Sequence, residues 1–213
     1  MTVVAIDGPA GSGKSTLARS LAEHLGVERL DTGAMYRAVA WSALDRGMDL
    51  TNSEGLAAMA SELDIGVGEL VTVDGRDVTD AIRTPSVDLA VSPVAANPKV
   101  REELVRRQRA WVAGRTGAVV EGRDICTVVL PDADLKIYLT ADTSVRATRR
   151  SSERQGRQSV KEVEEQLRVR DRIDSTRAAS PLLSVTEMPH GAIVIDSTGK
   201  SAASVLKEVL KCL

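Results

Sequence analysis

Aromatic side chains are almost missing from this chain of 213 residues: it has no Phe, and Tyr36, Trp41, Trp111 and Tyr138 are the whole set. A core must therefore be built from Val, Leu, Ile, Ala and Met, and Trp41 and Trp111 are expected within it rather than as base-stacking platforms. Cysteine is equally scarce. Cys126 and Cys212 are too few for a disulfide framework and read as free thiols of a reducing compartment. An excess of charge of one sign is lacking too: 28 Lys and Arg face 30 Asp and Glu, a formal net charge of −2. Without a basic footprint, a general nucleic-acid coat is excluded. No apolar run approaches the length that spans a bilayer, and no basic region leads into an apolar one at the N-terminus. A soluble cytoplasmic protein with no membrane partner is expected. What is present is a hydrophobic content of 43%, enough to fill a core and to exclude a disordered chain. The length suits one ordinary domain, or one domain carrying a modest insertion.

Short β-branched runs recur at Val3-Val4-Ala5-Ile6, Ala118-Val119-Val120, Leu135 to Leu139 and Ala192 to Ile195. Each is nearly continuous in apolar character, as strands buried on both faces of a parallel sheet require. Glu28 to Asp31 supplies a fifth short strand. Helical stripes separate the runs, with Leu17, Leu21 and Leu25 before a stop at Gly26, and Val205, Leu206, Val209 and Leu210 near the end. This alternation predicts a doubly wound α/β domain with a five-stranded parallel sheet. From about Gly47 to Val91 the rhythm breaks. Thr51-Asn52-Ser53-Glu54 reads as a capping box opening a helix with Leu56, Met59 and Leu63 on one side. Ile65 and Val67, then Val71 and Val73, alternate, and Asp74-Gly75 supplies a hairpin turn before Val78. A small α+β insertion, residues 47–91, is therefore expected within a core of 1–46 and 92–213. Asn97-Pro98 then opens a helix to about Gly114, with Val100, Leu104, Gln108 and Trp111 facing inward.

Gly8-Pro9-Ala10-Gly11-Ser12-Gly13-Lys14-Ser15 matches G-x-x-x-x-G-K-[ST] without a gap, between a predicted strand and a predicted helix. Glycines let successive backbone N–H groups turn inward around phosphate oxygens, and the helix N-terminus adds positive potential. Lys14 can reach the β- and γ-phosphates and the Ser15 hydroxyl can ligate Mg²⁺. A nucleoside triphosphate cradle of Gly8 to Thr16 is expected, which by itself does not choose between a kinase, a GTPase switch and an ATPase. A GTPase switch fits poorly, because the only D-x-x-G is Asp196 to Gly199, too near the end to be followed by a guanine-reading motif. A motor ATPase fits poorly too, since Ile195-Asp196 is followed by Ser197.

Several arginines stand where a second phosphorylated substrate would need them. Arg37 follows Asp31-Thr32-Gly33-Ala34-Met35-Tyr36 at a strand-to-helix passage, and Arg123 and Asp124 lie just past the strand ending at Val120. Open α/β sheets bind ligands beyond the carboxyl ends of their strands. Arg170, Asp174 and Arg177 share one face of a helix by their i, i+4, i+7 spacing.

With the phosphate loop, the blocks D-T-G-A-M-Y-R, V-S-P-V-A-A-N-P-K-V-R, E-G-R-D-I-C-T-V-V-L-P-D-A-D-L-K-I-Y-L and R-D-R-I-D-S-T-R-A-A-S-P-L resemble the bacterial cytidylate kinases. They stand in that family's order from Val3 to Leu182. The resemblance implies transfer of the γ-phosphoryl of ATP to CMP or dCMP, and a monophosphate-binding role for the insertion. It implies that Ser92, Arg101 and Asp124 contact cytosine, whose N4 amino donor suits a carboxylate while N3 and O2 need donors. Uracil would turn its O4 acceptor toward Asp124 and be repelled. It further implies that Arg37, Arg123 and Arg177 hold the acceptor phosphate with Thr32 close by, and that Arg170 and Asp174 reach the sugar hydroxyls. Cys126 departs from the family pattern, which usually has Gly there. A left-handed backbone at that position would strain a side chain, whereas a small buried hydrophobe fits it otherwise.

The acceptor phosphate has its second pKa near ~6 and is a nucleophile at neutral pH, so no strong general base is required. His24, in a helix, and His190, in a late loop, stand outside every motif. Lys14, Arg123 and Arg177 are the expected catalytic residues, acting by positioning and charge. Arg146, Arg149, Arg150, Arg154 and Arg157 have the density of a lid, about residues 145–165, closing over ATP to exclude water. A monomer is expected. Two alternatives stay open at this point: a phosphate-loop kinase of another acceptor (UMP, another monophosphate or a shikimate-like acid), and a nucleotide-binding module without catalysis.

Overall fold

The unbroken apolar run at the start forms β1 (Thr2–Asp7), and every residue of it after Thr2 is buried. The computed structural model describes residues 2–153, 158–178 and 180–213. After β1 come α1 (Lys14–Leu25), β2 (Glu28–Asp31), α2 (Thr32–Asp45) and α3 (Ser53–Glu62). Three short strands follow, β3 (Ile65–Val67), β4 (Val71–Val73) and β5 (Arg76–Asp77), and then α4 (Pro85–Ala96) and α5 (Pro98–Ala113). The chain returns through β6 (Gly117–Glu121), a wide helical turn (Ile125–Val129) and β7 (Leu135–Thr140). It ends with α6 (Thr143–Glu153), α7 (Val160–Thr176), β8 (Ile193–Asp196) and α8 (Ala202–Val209). Two compact units result, Met1–Arg29 with Thr116–Leu213, and Leu30–Arg115. Residues 47–91, expected as an insertion, lie inside the second.

The five predicted strands form one sheet in the order β2-β6-β1-β7-β8. β1 pairs in parallel with β6 on one side and β7 on the other, and β7 pairs in parallel with β8. The strand order therefore reverses at β1, and the crevice beyond its carboxyl end is the place where such sheets take ligands. Val4, Ile6, Val119, Ile137, Leu139 and Ile195 of the strands meet Leu17 and Leu21 of α1 and Val205 and Val209 of α8 in one core cluster. Aliphatic side chains alone fill it, as the shortage of aromatics requires. α1 stops where its stripe stops: Gly26 takes φ 65° and its N–H closes on the carbonyls of Ala22 and Glu23. Among the described residues no helix is long and apolar enough to cross a membrane.

The second unit carries α2 to α5 and a three-stranded antiparallel sheet, β3-β4-β5. Asp74 and Gly75 both have positive φ, 50° and 76°, the geometry of the tight hairpin turn that this pair favours. Two local expectations need correction. The cap of α3 is Asn52, whose side chain accepts from Gly55 N–H at 2.9 Å, while Thr51 turns back to Asp49. Asn accepts the amide as well as Thr does and stands one residue nearer the helix. Trp41 and Trp111 are half-buried rather than core residues. Each ring is covered by a guanidinium, Arg76 at 5.1 Å and Arg115 at 3.5 Å from the ring centre, so an indole face is shielded without reaching the interior. Val100, Leu104 and Gln108 of α5 are buried as expected.

Candidate active site

The phosphate loop leaves β1 at its carboxyl end and runs into α1 through Gly13, at φ 98°. Gly8 has φ 148°, and a Cβ there would stand 2.0 Å from the carbonyl oxygen of Leu139 in β7. The loop thus lies against the neighbouring strand at a distance that only glycine allows. Its carbonyls are held by side chains from elsewhere. Arg123 Nη1 donates to Gly8 O and Lys14 Nζ to Pro9 O (2.8 Å). Arg146 Nη1 donates to Ala10 O (3.0 Å) and Ser197 Oγ to Ser12 O (2.9 Å). Turning carbonyls toward these donors leaves the start of α1 and its dipole to an anion. The Ser12 hydroxyl is buried without a hydrogen-bond partner. Beside the loop opens a cavity of about 220 Å³, bordered by Gly11, Thr16, Arg149, Glu153, Ser197 and Lys200.

Lys14 is 9% exposed. Burial, and then the nearby Arg123 guanidinium, lower its pKa from 10.5 to about 7, with Glu121 and Asp7 pulling the other way. A cation under that pressure is completed by an incoming anion. Ser15 Oγ donates to Glu121 Oε2 at 2.8 Å, and Arg29 Nη1 donates to Glu121 Oε1 at 3.0 Å. Sequence reading tested only Asp196 as an acidic strand end and passed over Glu121. The signal was present: Glu121 closes the apolar run of β6, the strand paired with β1.

In the same unit, three of the expected acceptor-side arginines converge on Asp174, and one of them also faces Asp124. Arg123 Nε donates to Asp174 Oδ2 at 2.9 Å. Arg170 Nε stands 3.9 Å from Asp174 Oδ2, and Arg177 Nη1 4.0 Å from Oδ1. Arg177 Nη2 lies 3.9 Å from Asp124 Oδ1. The i, i+4, i+7 spacing produces this, with Arg177 one step past α7 as its C-terminal cap. Burial pushes the Asp174 carboxyl up, and Arg123, Arg170 and Arg177 more than offset it, leaving the pKa below the usual carboxylate range. Three cations around two carboxylates leave surplus positive charge for an anionic ligand.

The second unit holds the remaining expected residues, each by itself well buried. Arg37 donates through Nη1 to Ile82 O at 2.9 Å and through Nη2 to Asp88 Oδ1. Arg101 lies over the Tyr36 ring at 5.4 Å and donates to Ala95 O. Ser92 is buried on α4 and Thr32 at the start of α2, where Asp31 accepts Ala34 N–H. Of the arginine-rich stretch, Arg146 is buried, paired with Asp171 at 2.7 Å. Arg149 is bound to Ser197 and Arg150 to Glu153. Arg154 and Arg157 lie outside the described residues. Cys126 is buried, and its backbone is not among the positive-φ positions, so its side chain carries no left-handed strain.

A family model described as cytidylate kinase matches residues 4–213. The chain is 47% identical to a cytidylate kinase of Desulfitobacterium hafniense (strain Y51), covering 97% of this chain and 90% of that protein. It is 48% identical to one of Pelotomaculum thermopropionicum (strain DSM 13744 / JCM 10971 / SI), covering 97% and 93%. The crystal structure of a gluconokinase from Sinorhizobium meliloti 1021 superposes with a TM-score of 0.52 at 16% identity, over 99% of this chain and 90% of that one, a likeness of fold alone. With the phosphate loop, the Arg-Asp pair after β6 and the arginine face of α7 all in their expected elements, the chain belongs to the cytidylate kinase family.

Proposed function

We propose that the protein transfers the γ-phosphoryl group of ATP to CMP or dCMP, giving ADP and the nucleoside diphosphate, in cytoplasmic pyrimidine nucleotide metabolism. The observation that carries this reading is Arg123, whose guanidinium bonds the phosphate loop at Gly8 O and the acceptor-side carboxylate of Asp174. One cation thereby links the donor cradle to a cluster with surplus positive charge, as in-line transfer between two phosphates demands. The acceptor phosphate is already a nucleophilic dianion near neutral pH. What the chain supplies is position and charge: Lys14, Arg123 and Arg177 offset charge developing on the transferred group. Arg37 and Thr32 bind the acceptor phosphate, Arg170 and Asp174 its sugar, and Ser92, Arg101 and Asp124 the cytosine. Residues 47–91 serve monophosphate binding, and residues near 145–165 close over the donor and exclude water. Ser15 and Glu121 present two hard oxygen donors side by side, which suits Mg²⁺. When bound with the triphosphate, Mg²⁺ would supply further neutralisation of phosphate charge. The working form is a monomer.

The test is ADP release from Mg-ATP across CMP, dCMP, UMP, AMP, GMP and shikimate. Fast turnover with CMP and dCMP and little with UMP is expected. Equal turnover with another acceptor overturns the base assignment and leaves the phosphate-loop assignment standing. Asp124→Asn is expected to lower the kcat/KM ratio of CMP over UMP by roughly tenfold or more. Lys14→Ala is expected to lower kcat by roughly 10²-fold or more with the fold retained.

A further inference from the structure

Beyond its pull on the Lys14 charge, Asp7 has no role in the site described so far, yet it is 1% exposed at the end of β1, immediately before the phosphate loop. Its two carboxylate oxygens are fully directed. Oδ1 accepts Ile125 N–H and Oδ2 accepts Cys126 N–H, both at 2.8 Å. Those are the two residues that follow Asp124 and open the wide turn. The turn closes on the backbone oxygen of Asp124, which accepts Val128 N–H at 2.9 Å and Val129 N–H at 3.1 Å. Asp124 is therefore gripped from both sides: its carbonyl by the turn, and the turn's first two amides by Asp7. Burial pushes the Asp7 carboxyl up to about 6 against the pull of those two amides. An apolar residue would avoid that burial cost, which argues that the carboxylate serves something other than packing.

We propose that Asp7 is a positioning residue for acceptor selection: through its paired bonds to Ile125 and Cys126 it fixes the backbone from which Asp124 reads the cytosine amino group. This rests on the base-reading role of Asp124 given above, and it adds that selectivity for the acceptor is anchored in the strand that carries the donor loop. A carboxylate can accept both amides, whereas an amide side chain has one acceptor and turns N–H against N–H at the other. Asp7→Asn should consequently loosen the turn and Asp124 with it, while Gly8 to Ser15 keep their glycine-determined path. Cys126 separates this from packing. Its thiol donates weakly to Ala5 O and Ile137 O at 3.6 and 3.7 Å and also lies against the Asp7 carboxylate, but the directed 2.8 Å bond to Asp7 Oδ2 comes from its backbone and survives loss of the thiol.

The experiment is steady-state kinetics of Asp7→Asn, Asp124→Asn, the double variant and Cys126→Ala, each with CMP and UMP, alongside the KM for ATP. Asp7→Asn is expected to lower the CMP/UMP ratio of kcat/KM roughly tenfold, the size of a lost charge-assisted bond; any change at Lys14 moves the ATP KM but cancels in this ratio, because both acceptors use the same donor site. The double variant should lose no more selectivity than Asp124→Asn alone, because both act through one group. Cys126→Ala should keep the wild-type ratio. A normal ratio in Asp7→Asn when Asp124→Asn has lost it overturns the positioning role. A normal ratio in Asp124→Asn overturns the base-reading assignment instead. Additive losses in the double variant, or an equal loss in Cys126→Ala, mean that Asp7 acts through general packing and also overturn it. Should Asp7→Asn fail to fold, amide exchange in the unaltered protein decides. Ile125 and Cys126 amides protected as strongly as those of β1 support the role, and exchange as fast as in exposed loops overturns it.

Discussion

The donor loop and the acceptor-side cluster belong to the same unit, but they are made in opposite ways. The loop is eight consecutive residues whose cradle is made of backbone, with the Lys14 and Ser15 side chains at its end, and its path depends on what is missing, a Cβ at Gly8 and a right-handed φ at Gly13. The cluster is side chains from two segments, Arg123 and Asp124 on one and Arg170, Asp174 and Arg177 on the other, with Arg123 and its partner Asp174 standing 51 positions apart. Its identity lies in charge balance within a buried setting. The loop is therefore vulnerable to added volume and the cluster to lost charge, and the two vulnerabilities can be probed separately.

The largest effect is expected from Gly8→Ala. Its methyl would meet the backbone oxygen of Leu139, which is held in β7 where Leu139 pairs with Ile195 of β8. A loss of roughly 3 kcal/mol or more of stability, together with loss of ATP binding, is expected from denaturant melts and calorimetry. Asp174→Asn comes next. It leaves Arg123, Arg170 and Arg177 without their shared carboxylate, and about 3 kcal/mol of stability should be lost, while the loop still binds ATP. If donor binding falls equally in both variants, the loop and the cluster are not separable.

A smaller effect concerns pH. The Lys14 pKa is about 7 in the folded protein against 10.5 as the ordinary value. Between those values the unfolded chain still holds the proton that the folded one has released, so this group makes stability rise with pH across that window. Urea melts at pH 7 and 9 should show the unaltered protein gaining stability relative to Lys14→Met; a gap that narrows or stays constant refutes the depressed pKa. The smallest effect lies in the other unit. Arg107 donates to the carbonyls of Ala60 and Ser61 at 3.0 and 2.9 Å and to Leu63 O, closing the end of α3. Arg107→Ala should lower the melting temperature by an amount equivalent to about 1 kcal/mol and leave turnover unchanged.

Local chemistry made much of this readable from the chain. The Asp74-Gly75 turn, the Asn97-Pro98 start of α5 and the Gly26 stop of α1 each depend on neighbours within a few residues, and each was expected. Where two local solutions compete, reading was less sure: Thr51 and Asn52 can both cap a helix, and only the path of the backbone chose Asn52. Trp41 and Trp111 are apolar enough to suit a core, but their guanidinium covers, Arg76 and Arg115, lie outside any motif. Glu121 was missed because its contact with Ser15 spans 106 residues.

Amino-acid order alone was enough to establish the phosphate loop, the five parallel strands, the arginine face of α7 and the resemblance to a kinase family. These depend on φ preferences, periodicity and contiguous motifs, which act over short range. Folding in three dimensions was needed to bring Arg123 against both Gly8 and Asp174, to set Glu121 beside Ser15, and to bury Asp7 under the amides of Ile125 and Cys126. Those contacts join segments distant in the chain, most of them leaving the carboxyl ends of β1 and β6, with Asp174 brought in from α7. Parallel pairing places carboxyl ends side by side regardless of how many residues separate them.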